Sequence, residues 1–305
     1  MSFRIKLVFS IFVLSSFVFN VSAISSEATW YGSPDGAGSD GGACGFCDAV
    51  ETTYGKYITA VGNGLYKGGK GCGACYEVKC LSHSACSGNS INVVVSDQCP
   101  GCDPYQFDLS GTSFGALASN GASNQLRGAG RIQIEYQKVP CKYNGETIKF
   151  VVDNGSNPYY IAVNVMEVGG DGDLENVEIQ HGSNPFMAAR LVFGATWGVN
   201  SFMPGPLSIR LTTSLGKSIV AQNVIPEGYS RGGGRGRERN PYIERANDEI
   251  LEEIREAVEE EKEDANVDKE VTNTRIYKKS HMFSATIVTN WVIMLITVGT
   301  LRMRK

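Results

Sequence analysis

Residues 105–110 read YQFDLS. Phe107 and Leu109 alternate with Gln106 and Asp108, the period-2 pattern of a strand with one apolar and one polar face. A small-residue turn, Ser110-Gly111-Thr112, is expected next, and then a short apolar run from Phe114 to Ala118. The strand therefore presents an acid and an amide side by side on its polar face. Asp108 is either a working carboxylate or a structural one, because aspartate is also common at turns and strand ends.

Outward from this strand, other short runs fit the same pattern. Tyr76 to Lys79, Ile91 to Ser96 and Arg131 to Tyr136 alternate or are rich in β-branched residues, and helical periodicity is nearly absent. A second set of strands is expected at Thr147 to Asp153, Tyr160 to Val168, Asn176 to Gln180, Leu207 to Thr213 and Ser218 to Val224. Turns of Gly, Asn, Asp and Pro separate them, a rhythm that suggests an antiparallel β-sandwich. The chain divides into a glycine- and cysteine-rich domain at 24–139 and a cysteine-free domain at 145–229, with Pro140-Cys141 as a short junction.

The ends differ in character. Residues 1–23 have the layout of a secretory signal: Arg4 and Lys6, an apolar run from Leu7 to Phe19, then Val21-Ser22-Ala23. The run is shorter than the ~20 residues of a membrane span. After Tyr229 the composition shifts to an Arg/Gly run at 231–237, then to a Glu-rich stretch with Ile250, Leu251, Ile254 and Val258 at helical spacing. Residues 230–280 are thus expected to be a flexible and acidic helical tail. Residues 283–301 are apolar and followed by basic residues, a candidate transmembrane attachment in type I orientation. The charged end speaks against a glycolipid-anchor signal.

All nine cysteines lie between Cys44 and Cys141. Behind a secretory signal they read as disulfides. Their three two-residue gaps, at Cys44 and Cys47, Cys72 and Cys75, and Cys99 and Cys102, keep zinc as the competing reading. The odd number leaves one thiol over or paired between chains. The slight net charge of −4 makes no case for a nucleic-acid or acidic partner. His83 and His181 are isolated, and Asn154-Gly155-Ser156 is a glycosylation sequon.

Several motifs occur in a specific order: ATWYGSPDGAG at 28–38, GGACGF at 41–46, GKGCGACYEVKC at 69–80, ACSG at 85–88 and FDLSG at 107–111. GSNPYY at 155–160, GDGD at 170–173, GATW at 194–197 and VIPEGY at 224–229 follow. Over about residues 24–230 the chain resembles the expansins, and the β-expansin branch in particular. The resemblance implies an all-β fold: a six-stranded double-psi β-barrel followed by an immunoglobulin-like β-sandwich that binds polysaccharide. It implies loosening of plant cell walls without cutting of glycan chains. It also implies disulfides Cys44 with Cys72, Cys75 with Cys141, and Cys80 with Cys86. Cys47, Cys99 and Cys102 remain, either as Cys99 with Cys102 or as one of these with Cys47.

The barrel is also similar to that of inverting endoglucanases, in which the motif acid protonates the leaving oxygen. Inverting hydrolysis needs a second carboxylate roughly 6.5–9.5 Å away. In those hydrolases the base follows an aromatic pair, but here Trp30-Tyr31 is followed by Gly32. The resemblance to the expansins implies that Asp97 lines the groove beside Asp108. Gln106 stands where the family usually has histidine, and a glutamine donates a hydrogen bond but does not titrate. Trp30, Tyr31, Tyr160 and Trp197 match positions of a flat aromatic strip on which sugar faces pack. Phe193 is left out of that strip, and Tyr159 should point away from Tyr160. The resulting expectation is an extracellular, wall-loosening polysaccharide binder that uses no cofactor or metal. The rivals are a polysaccharide-binding module without loosening activity and an endoglucanase-type hydrolase.

Overall fold

The computed structural model describes residues 23–38, 42–46, 54–143 and 148–229, and the backbone of Ile243–Arg245. The expected signal, apart from Ala23, lies outside the described residues. So do Cys47, the candidate span at 283–301 and nearly all of the tail. Among the described residues, no helix is long and apolar enough to cross a membrane.

Six strands close a barrel: β1 (Ile24–Tyr31), β2 (Ile58–Val61), β3 (Cys75–Cys80), β4 (Ser90–Gln98), β5 (Phe107–Ser110) and β6 (Ile132–Lys138), in the order β1-β5-β2-β4-β3-β6. Two neighbouring pairs, β1 with β5 and β2 with β4, are parallel. The alternation in 105–110 holds in space. Phe107 and Leu109 are fully buried in the barrel core with Val61, Val93, Val95 and Ile134.

The turn expected at 110–112 is the start of a helix. Ser110 caps α2 (Gly111–Ala116), its hydroxyl accepting from the Ser113 N–H at 3.1 Å. This helix and α3 (Ser123–Gly128) close one end of the barrel, while α1 (Asn63–Tyr66) follows β2.

The second domain stacks two sheets. One contains β10 (Met187–Ala188), β9 (Leu174–His181), β13 (Leu207–Thr213) and β14 (Ser218–Ile225). The other contains β11 (Arg190–Phe193), β12 (Thr196–Val199), β8 (Ile161–Met166), β7 (Lys149–Val152) and β15 (Ile243–Arg245). Phe150, Val163, Ile179, Leu207 and Ile209 fill the space between them, as the apolar face of each strand requires.

Disulfides link Cys44 to Cys72, Cys75 to Cys141, Cys80 to Cys86 and Cys99 to Cys102. The domains meet along a dense seam. Cys141 and Gly170 exchange both backbone hydrogen bonds, at 2.7 and 3.1 Å. The buried Asp173 pairs with Lys138 of the barrel, and Met166 and Ala195 of the sandwich pack into the barrel's core.

Glu167, also on this seam, is fully buried as a side chain and pairs with Lys149 at 2.5 Å. Lys149→Met is expected to strand that carboxylate and cost about 3–5 kcal/mol. Lys70→Met breaks only an exposed pair with Glu175 and should cost about 0–1 kcal/mol. Denaturant titration of the two variants checks this; equal small losses would contradict it.

Candidate functional site

The barrel's strand register builds a row of side chains. Thr29 on β1 pairs with Asp108 on β5, Asp108 pairs with Ala60 on β2, and Ala60 pairs with Asp97 on β4. Residues directly opposite one another share a face, so all four point away from the core that holds Phe107 and Leu109.

Asp97 reaches this face only because of an irregularity. Val93 and Val95 are buried in the core, and simple alternation would turn Asp97 inward with them. The register shifts between Thr59 and Ala60, so Thr59 pairs with Val95 while Ala60 pairs with Asp97, leaving Ser96 over. A bulge of this kind reverses the phase of the strand. Asp97 then faces outward and accepts from the backbone N–H groups of Ala43 (2.6 Å) and Gln98 (2.8 Å).

Asp108 is half-buried, and its Oδ1 accepts from the Thr29 hydroxyl at 2.5 Å. Burial pushes its pKa above the ordinary aspartate value. The Thr29 hydrogen bond opposes that rise, and the negative Asp97 adds to it. Asp108 therefore holds a proton to higher pH than a free carboxyl does. Gln106 is buried just before the same strand, with its amide 3.4 Å from the Thr29 hydroxyl.

Gly32, where the resemblance to endoglucanases would put the hydrolytic base, leaves no room for a side chain. Gly32 has φ +77°, and a methyl group there would lie 2.8 Å from the Gly38 Cα. An aspartate at this position would need the loop to rebuild. Asp35, the nearest acid in the sequence, has an almost wholly exposed side chain that pairs with Arg127 at 3.6 Å.

From Asp97 the surface continues onto the second domain. The loop at 42–46 lies over the bulge, with the Cys44 N–H donating to Ser96 O. Gly45, at φ +75°, leaves room for Phe193: a methyl group there would lie 3.2 Å from the Phe193 ring. Asn164 on β8 donates to Cys44 O at 3.1 Å and binds the sheet to this loop. Asn164 pairs with Thr196, and Ala162 with Gly198. Tyr160 lies over Gly198, where a methyl group would be 3.5 Å from its ring. Asp108, Asp97, the 42–46 loop, Phe193 and Tyr160 thus follow one another along one surface.

The aromatic expectations are corrected at Trp197 and at Phe193. Trp197 is 4% exposed and faces Val163 inside the sandwich, so its indole is core and not strip. Trp30 stands on the other face of β1 from Thr29. Its ring lies 6.4 Å from Phe114 and its N–H donates to Arg127 O at 3.1 Å, so it walls the helical end of the barrel. Tyr31 shares the face of Thr29 and pairs with Ser110. Phe193 is 55% exposed, because a register shift between Leu191 and Phe193 turns it outward. It therefore joins the strip from which its departure from the family's usual tryptophan excluded it. Tyr159 is exposed and packs at a tilt against Phe202, ring centroids 5.2 Å apart, away from Tyr160.

Comparison with known proteins agrees with this architecture. The expansin C-terminal domain profile matches residues 148–226, and a double-psi barrel profile described as lytic transglycolase matches residues 58–136. Expansin-B11 of Oryza sativa subsp. japonica is 47% identical, covering 68% of this chain and 74% of its own. Expansin-B4 of Arabidopsis thaliana is 47% identical, covering 67% and 82%. In solved structures, a mutant of the Clavibacter michiganensis expansin in complex with cellohexaose is 25% identical. It covers 73% of this chain and 96% of its own, with a TM-score of 0.55. With near-half identity across most of its relatives' length, and both domains matched, the chain belongs to the expansin family.

Proposed function

We propose that this protein loosens plant cell walls without hydrolysis, by laying an extended polysaccharide along the face from Asp108 to Tyr160 and disrupting noncovalent contacts between chains. The barrel at 24–139 and the sandwich at 145–229 act as one binding platform, outside the cell. The observation that carries this reading is a continuous polar-then-aromatic surface with an acid but no room for a base at Gly32. The cellohexaose held by the Clavibacter relative supports a β-linked glycan as ligand. Tyr31, Phe193 and Tyr160 offer ring faces on which the C–H groups of sugars pack. Asp108 offers a proton or a hydrogen bond to a glycan oxygen. The fraction of Asp108 able to donate falls as pH rises through its elevated pKa.

The full secreted chain is expected to extend heat-inactivated wall strips under constant load while releasing no soluble sugar. Sugar release in step with extension would make the protein a hydrolase. Absence of extension from folded protein that still binds wall would make it a binding module.

A further inference from the structure

We propose that Gln106 is a positioning residue that acts on Asp108 through Thr29, as the fixed end of a one-way hydrogen-bond relay. The inference rests on Asp108 as the working carboxylate, but its geometry and its test stand apart from wall loosening.

The direction of the relay follows from which groups can only donate. The Asp103 backbone N–H donates to Gln106 Oε1 at 3.2 Å. A backbone N–H has no other role, so it fixes which way the amide points. Gln106 Nε2 then faces the Thr29 hydroxyl, 3.4 Å away, and an amide nitrogen only donates. The Thr29 oxygen is thereby the acceptor from Gln106, and its single hydrogen is left for Asp108 Oδ1 at 2.5 Å. Gln106 is 4% exposed, so water competes little for these bonds. Its backbone is held at both ends as well: its N–H donates to Asp103 O, and its carbonyl accepts from Gly62 N–H, each at 3.0 Å.

Two consequences follow. Asp108 Oδ1 is kept as an acceptor, so any proton that Asp108 takes goes to its other oxygen. The relay also keeps its direction at every pH, because glutamine does not titrate. A neutral histidine at this position could present a bare ring nitrogen to Thr29 and draw the hydroxyl hydrogen away. Asp97 on β4 is the charged group that acts on Asp108. β1 faces it with Thr29 and β2 with Ala60, neither of which titrates.

The test is the titration of the Asp108 carboxyl carbon, by NMR of the full secreted chain labelled with ¹³C-aspartate. Loss of one resonance in Asp108→Asn assigns it. Gln106→Met and Thr29→Val are each expected to move the midpoint upward, since each weakens the bond that favours the ionised form. The double variant should sit no higher than Thr29→Val alone, because Gln106 acts only through Thr29. A midpoint unmoved by Gln106→Met, or a Gln106→Met shift that adds fully to that of Thr29→Val, would overturn the relay. Should Gln106→Met not fold, Gln106→His serves instead. It is expected to give the Asp108 titration a second inflection in the histidine range, and a single-step curve would overturn the proposal. Failure of the reading of Asp108 as the working carboxylate would instead appear as wall extension indifferent to Asp108→Asn.

Discussion

Trp197→Ala is expected to destabilise the sandwich by about 3–5 kcal/mol, whereas Phe193→Ala, four residues earlier, should leave stability nearly unchanged and weaken wall binding. Trp197 is packed between the sheets among Val163, Leu174 and Ile209, so truncation leaves a cavity that a β-sandwich cannot collapse. Phe193 is half exposed over Gly45, where its ring meets little besides the loop and any ligand. Loss of one aromatic contact to a sugar face should weaken binding roughly 2- to 10-fold. Denaturant unfolding and depletion onto insoluble wall separate the two effects. If Trp197→Ala folded normally and lost only binding, the placement of both residues would be reversed.

That pair of residues also shows what is legible in such a sequence. Short strands with clean alternation declared themselves. Residues 105–110 place Phe107 and Leu109 in the core and Asp108 outside, as the period-2 pattern demands. β2 (Ile58–Val61) escaped because every one of its residues is buried, so it has no polar face to alternate with. The two bulges escaped for a different reason. At Ser96 and before Phe193 the chain gains one residue relative to its neighbour, and the pattern in a single strand cannot report a partner's register. Both bulges lie at the candidate site. One turns Asp97 out to join Asp108, and the other turns Phe193 onto the strip.

Trp197 belongs to the strip only as a position carried over from the family resemblance, which does not report which way the side chain points. Its partner across the ladder, Val163, decides otherwise, and that pairing spans more than thirty residues of sequence. The helix after Asp108 reads as a turn because all of GTSFGA but Phe114 is small and its length is under two turns. The Ser110 cap was the available signal. The relay through Thr29 could not be read at all, since Thr29 and Asp108 meet only through the parallel pairing of β1 with β5.

The central claim is that Asp108 works on the wall and is not a relic of a hydrolase. Creep of heat-inactivated wall strips under constant load, driven by the full chain and by its Asp108→Asn variant at matched wall occupancy, tests it most directly. Asn keeps the shape of the side chain and can still meet the Thr29 hydroxyl, so the fold and wall binding should survive. The account predicts that extension falls to the level of buffer alone. Extension at the wild-type rate from the variant would contradict it and leave Asp108 a structural carboxylate.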